Sequence, residues 1–125
     1  MSIQITTLFT AIYTLVYLLM SFYASRTRRN QKVSVGEGNE NLQRAVRMHG
    51  NYFEYTLFFL FTILILELNK TNELYLYVIC SIFLVGRIFH AYSMVAKKGL
   101  FRVLGMMLTF ASYISNLVYL FKLVW

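Results

Sequence analysis

The sequence predicts an all-α integral membrane protein, a bundle of four transmembrane helices. Apolar residues make up 58% of the chain and charged residues only 14%, whereas about a quarter of a soluble domain is charged. Four apolar segments reach the ~20 residues that a helix needs to cross the hydrocarbon core of a bilayer. These runs are too long for the roughly ten-residue strands of a membrane barrel. We therefore expect one domain, residues 1–125, with lipid as its main solvent.

The predicted spans are residues 3–24, 51–68, 74–96 and 103–125. No basic residue precedes the first apolar run, so it is predicted to be a retained span and not a cleaved signal peptide. Residues 25–43 are polar and are predicted to form a surface loop. The link at residues 69–73 is short, so spans two and three form a tight antiparallel hairpin.

The distribution of basic residues predicts the orientation. Between spans one and two lie six of them: Arg26, Arg28, Arg29, Lys32, Arg44 and Arg47. Between spans three and four lie three more: Lys97, Lys98 and Arg102. The other side has only Lys70 and Lys122. By the positive-inside rule both basic loops face the cytoplasm and both termini face away. This placement accounts for the net charge of +7 without a nucleic-acid partner.

Several reaction centres are excluded by residue counts. The single cysteine, Cys80, lies in an apolar run and is interpreted as a small buried side chain. Two histidines on separate spans and one cysteine predict no metal site. The chain contains no aspartate for a Ser/His/Asp triad and no glycine-rich phosphate loop.

Ionisable side chains inside the spans are the strongest indication of function, because each is costly in lipid. At the start of span two, helical spacing places Arg44, Arg47, Asn51 and Glu54 on one stripe. This order of cations, amide and carboxylate is complementary to a zwitterionic molecule. The alternative is an internal network in which Glu54 pairs with Arg87 of span three.

Spans three and four add three further candidates. Arg87 and His90 are three residues apart and share a face of span three; a structural hydrogen bond by His90 is the alternative. Arg102 opens span four, where it is either a functional cation or a topology anchor at the membrane border. Tyr92 points away from His90 and is interpreted as an interfacial anchor.

The run from Arg47 to Tyr55, RMHGNYFEY, resembles the signature of the MAPEG family, the membrane-associated proteins of eicosanoid and glutathione metabolism. Arg47, Asn51, Glu54 and Tyr55 match that signature. The resemblance covers essentially the full length, since a basic first loop, Arg87 followed by His90, and Arg102 opening span four also fall where the family has them. The bacterial branch is the most similar, which implies a bacterial inner membrane.

The resemblance implies a homotrimer of four-helix subunits, with glutathione bound between neighbours near the cytoplasmic side. Arg102 would hold the glutathione thiolate. The implied glutathione-binding residues are Arg26, Arg47, His49, Asn51, Glu54 and Tyr55, with Arg87 and His90 contributed by the adjacent subunit. An isolated subunit would also leave the stripe of span two without partners, which favours an oligomer.

The implied activity follows from thiolate chemistry. A thiolate is the nucleophilic form, and a nearby guanidinium stabilises it while remaining charged itself. We therefore expect glutathione, as co-substrate, to be conjugated to a lipophilic electrophile or to reduce a lipophilic hydroperoxide that is dissolved in membrane lipid.

Two other functions remain open. A non-catalytic scaffold that binds lipid or glutathione would have the same fold, although a pure lipid presenter has no use for the stripe of span two. A small proton-coupled multidrug transporter also has four short helices, but its essential glutamate lies in span one, which is uncharged here.

Overall fold

The structure, a computed structural model, describes residues 3–125 and contains four long helices. They are α1 (Gln4–Asn30), α2 (Glu40–Leu68), α3 (Glu73–Ala96) and α4 (Gly99–Val124). Each is long and apolar enough to cross a membrane. At about 1.5 Å per residue they measure roughly 36–44 Å, more than the ~30 Å of a hydrocarbon core. The prediction of four transmembrane helices is confirmed.

The first connection is shorter than predicted, because the helices extend beyond the spans on both sides of it. Residues 31–39 lie outside helices, where a loop over 25–43 was expected. Arginines are good helix formers and are favourable at a helix C-terminus, so they extend α1. At the other side Asn39 caps α2, its side chain accepting a hydrogen bond from the Leu42 amide at 3.1 Å. Gln31 and Asn39 hydrogen-bond to each other across the loop.

The interior of the bundle is aromatic and hydrogen-bonded. The rings of Phe59 and Phe83 stack with centroids 3.8 Å apart, and Tyr13 packs against both. The Tyr13 hydroxyl donates to the Cys80 carbonyl at 2.8 Å, and Tyr52 donates to the Tyr13 carbonyl at 2.9 Å. Cys80 is fully buried, as predicted. Because lipid is as apolar as this core, close packing and hydrogen bonds must hold the helices together.

Two glycines bring α3 and α4 close together. A Cβ built on Gly105 would lie 2.6 Å from the carbonyl oxygen of Gly86 and 2.7 Å from the amide nitrogen of His90. Small residues allow such close approach of helices in membranes. The contact fixes the position of the first turn of α4 along the α3 helix.

The end of the bundle that contains the start of α1 is held by a glutamate. The Glu67 carboxylate accepts hydrogen bonds from the backbone amides of Ile5 at 2.8 Å and Thr6 at 2.7 Å. These amides have no partner within their own helix, and the helix dipole favours a negative charge there. Glu67 therefore has a structural role as a cap supplied by another helix.

A second polar group near that end is hydrogen-bonded to other helices through both its oxygen and its nitrogen. Asn116 is completely buried. Its amide nitrogen donates to Thr62 Oγ1 at 2.8 Å, and its oxygen accepts from the Tyr75 hydroxyl at 2.8 Å. These bonds join α2, α3 and α4 and give both the oxygen and the nitrogen of the buried amide a partner inside the protein.

Large apolar side chains cover the outside of the bundle. Among them, Leu15, Leu19 and Phe22 of α1 are 60–68% exposed, and Phe58 and Ile114 are 61% and 63% exposed. A soluble protein rarely exposes such a continuous apolar surface. Together with the four spans it indicates an integral membrane protein.

Candidate functional site

A groove of about 310 Å³ opens at the end of the bundle where α1 ends and α2 begins, which we call the basic end. Three helices supply its walls, and we call it the arginine groove. Its lining residues are Val46, Arg47, Gly50, Asn51 and Glu54 of α2, His90 and Met94 of α3, and Arg102 of α4.

The α2 wall contains three of the residues predicted from the stripe. Arg47, Asn51 and Glu54 follow at steps of four and three, so they face the groove together. Arg47 and Glu54 are exposed, and neither forms an ion pair within residues 3–125. Arg44, the fourth member of the predicted stripe, does not line the groove and pairs instead with Glu40 at 2.8 Å.

The opposite wall combines His90 of α3 with Arg102 of α4. His90 is 6% exposed, whereas Arg102 is exposed. The Gly86–Gly105 contact brings these two residues onto one wall, because Gly105 follows Arg102 by one turn and packs on the His90 backbone. The groove therefore has a guanidinium on each side and a carboxylate farther along α2.

Arg87 lies behind this groove and does not line it. Its side chain is 1% exposed. Nη1 donates to Asn51 Oδ1 at 2.8 Å, Nη2 lies 3.5 Å from the Met106 sulfur, and the guanidinium lies 5.0 Å from the centroid of the Tyr55 ring. The alternative considered from the sequence, an ion pair between Glu54 and Arg87, does not form; Arg87 hydrogen-bonds to Asn51 instead.

The hydrogen bond between Arg87 and Asn51 determines how the Asn51 side chain is oriented. A guanidinium can only donate hydrogen bonds, so the Asn51 side chain must turn its oxygen toward Arg87. Its amide NH₂ then has no acceptor among the residues described, and Asn51 lines the groove. The wall at this point is a hydrogen-bond donor, suited to a carboxylate, a carbonyl or a thiolate.

The remaining predicted residues lie outside the arginine groove of a single chain. His49 faces α1, with Nε2 2.8 Å from Ser21 Oγ and its ring tilted against that of Tyr17, the two centroids 4.7 Å apart. Tyr55 lies in the α2–α4 contact, where its carbonyl accepts a hydrogen bond from another tyrosine. Arg26 is an exposed residue of α1.

Three lining residues were not predicted from the sequence. Val46 and Gly50 flank the stripe of α2 at helical spacing, and Met94 follows His90 by one turn. A helical projection around the charged positions would have found them. The pairing of Asn51 with Arg87 had no sequence signal, since the carboxylate of Glu54 was the more obvious partner for an arginine.

The geometry defines a class of protein, a four-helix membrane protein with a charged groove at one end. The model of the MAPEG family matches residues 6–122, and the chain belongs to the MAPEG family. Two curated relatives, both called inner membrane protein YecN, come from Escherichia coli strain K12 and Escherichia coli O6:H1. Each is 27% identical over 122 residues, which covers 94% of this chain and 93% of the relative. None of the solved structures matches the chain significantly.

Proposed function

We propose that this protein is a glutathione-dependent membrane enzyme that conjugates glutathione to lipophilic electrophiles or reduces lipophilic hydroperoxides. One observation carries the proposal. Arg47, Glu54 and Arg102 line one groove and have no ion-pair partners within the described chain. Unpaired charges at membrane depth are costly unless a ligand or a neighbour compensates them. Glutathione, with two carboxylates, an ammonium and a thiol, offers complementary groups.

Each side chain has a role that its chemistry supports. Arg47 is suited to a carboxylate, and Glu54 to the ammonium group. The free NH₂ of Asn51 donates to an acceptor between them. Arg102 stabilises the thiolate, because a nearby cation lowers the pKa of a thiol from about 8.5 and a guanidinium stays charged. Arg87 acts through Asn51 and is a positioning residue.

The reaction needs no group other than the thiol. In conjugation the thiolate sulfur forms a bond to the electrophilic carbon, and the leaving group departs with its bonding electron pair. In peroxide reduction two glutathione molecules supply two electrons and become the disulfide, and the hydroperoxide becomes an alcohol and water. The apolar exterior beside the groove lets a lipid-dissolved substrate approach from the membrane.

The same proposal includes a homotrimer in a bacterial inner membrane, with the basic end facing the cytoplasm. In one chain Arg47, Glu54 and Arg102 are exposed, so the groove is open along one side. A neighbouring subunit would close it and could supply Arg26. His90 already lines the groove of its own chain, so the adjacent subunit does not have to contribute it. The relatives' name supports the inner membrane.

The test is calorimetric titration of the detergent-purified protein with glutathione, with the ultraviolet absorbance of the thiolate followed in the same sample. S-methylglutathione, which has no thiol, is the control ligand. Binding of both ligands with a thiolate signal for glutathione alone supports the enzyme. Binding without thiolate favours a glutathione-holding scaffold, and no binding rejects glutathione as the ligand.

A further inference from the structure

We propose that a second basic surface, at the end of α1, binds the headgroup of an anionic phospholipid. It is a hollow of about 420 Å³ that shares no lining residue with the arginine groove. We call it the α1 hollow. Its lining residues are Ser25, Arg28, Arg29, Lys32, Val33 and Ser34.

The charge of the α1 hollow is uncompensated. Arg28, Arg29 and Lys32 form no ion pair with any described carboxylate, and no carboxylate lines the hollow. The nearby cations Arg44 and Lys97 differ, because Glu40 lies 2.8 Å and 3.7 Å from them. Like the arginine groove, the α1 hollow therefore has cations without a carboxylate partner among the described residues.

The chemistry of the lining fits a phosphate. The residues that line it carry two guanidinium groups, one ammonium group and two serine hydroxyls. Charge-assisted hydrogen bonds from arginine and lysine to phosphate oxygens are among the strong ones, and hydroxyls can add neutral donors. The positive-inside rule explains the number of cations here, but it does not require hydroxyls or a concave shape.

The hollow is formed by folded backbone. Lys32 adopts a left-handed conformation with φ of 54°, and the amides of Lys32 and Val33 bond back to the carbonyls of Arg29 and Arg28, each at 3.1 Å. The chain therefore turns back toward the last turns of α1. Arg28 Nη1 also donates to the Gly36 carbonyl at 3.1 Å, which holds the following loop.

The length of α1 favours a lipid over a soluble phosphate. Its 27 residues measure about 40 Å, whereas the hydrocarbon core is about 30 Å thick. The last turns of α1, with Arg28 and Arg29, therefore reach the layer of lipid headgroups. Phe22 is 68% exposed and Tyr23 is 41% exposed just before them. Acyl chains can pack there while the phosphate enters the hollow.

The test is native mass spectrometry of the full chain in detergent with added phosphatidylglycerol or phosphatidylcholine of the same acyl chains. Arg29→Gln/Lys32→Gln removes two charges from the hollow. Lys97→Gln/Lys98→Gln is the matched control, with the same charge loss at the same end. We expect the wild type and the control to retain phosphatidylglycerol over phosphatidylcholine by about tenfold, and the hollow variant to lose this preference.

A second variant separates a built site from diffuse charge. Ser25→Ala changes no charge and should reduce the preference about threefold, the size expected for one lost neutral hydrogen bond. Addition of inorganic phosphate should leave the bound lipid in place. The proposal is overturned by equal retention of both lipids, by equal losses in the two charge variants, by an unchanged Ser25→Ala, or by displacement with inorganic phosphate.

Discussion

Two glutamates of α2, Glu54 and Glu67, illustrate how the two ends of the bundle differ. Both lie in a helix that crosses the membrane, where a charge costs roughly 2.5–3.5 kcal/mol at the bilayer centre. Glu67 accepts two backbone hydrogen bonds from the start of α1. Glu54 lines an open groove and has no ion-pair partner within residues 3–125. Ionisable residues in a span therefore need to be sorted by their partners before they are given a function.

Two asparagines show the same contrast. Asn116 uses both its oxygen and its nitrogen inside the protein, and it is completely buried. Asn51 uses only its oxygen, for Arg87, and presents its NH₂ to the arginine groove. At one end of the bundle Glu67 and Asn116 are hydrogen-bonded within the protein, and the other end keeps donors, cations and a carboxylate available. Each prediction below alters one side of this comparison.

The largest effect is expected from Gly105→Val. The added side chain would collide with the backbone of Gly86 and His90, which would separate α3 from α4 and destroy the arginine groove. We expect a loss of at least about 3 kcal/mol of stability and no detectable conjugation of glutathione. Gly99→Ala is the control, since nothing lies within 4 Å of its added Cβ. Normal thermal stability and activity in Gly105→Val would contradict the glycine contact.

Next in size is Arg102→Ala, which removes the proposed thiolate partner at the open end. We expect kcat/KM for conjugation to fall about 100-fold, as for loss of a group that stabilises developing or bound anionic charge. The absorbance of bound thiolate should disappear while the thermal stability is unchanged. Lys98→Ala, an exposed cation at the same end, is the control. A rate equal to wild type would reject the role of Arg102.

The two glutamates allow a paired test. Glu67→Gln should lower the stability by about 2 kcal/mol, because the backbone amides of α1 lose a charged acceptor. Its glutathione affinity should not change. Glu54→Gln should bind glutathione about tenfold more weakly than the wild type and should keep the stability of the wild type. Thermal unfolding and calorimetric titration of both variants would show whether the two effects separate, and a shared loss of stability would make Glu54 structural as well.

The smallest effect is expected from Arg87→Leu. Removing a buried cation that has no carboxylate partner should be nearly neutral for stability. Asn51 would then be free to turn, and we expect glutathione to bind about threefold more weakly. Calorimetric titration measures this. A loss of thirtyfold or more would mean that Arg87 contacts the ligand directly.

The sequence was informative about the site wherever side chains follow helical spacing within one helix. Arg47, Asn51 and Glu54 could be placed on one face of α2, and the structure has them on one groove wall. His49 also lies in that segment, but its ring packs against Tyr17 of α1. The sequence contains no information on which neighbouring helix receives a given face, so His49 could not be excluded.

The sequence by itself determined the class of protein, because four long apolar runs with few charges can satisfy their backbone groups in lipid only as helices. It also determined the grouping of cations at the basic end. Only the tertiary structure decided that Arg87 pairs with Asn51 and not with Glu54, and that Glu67 caps α1. Those choices depend on the register of one helix against another, which the close Gly86–Gly105 contact and the packing of the aromatic interior determine.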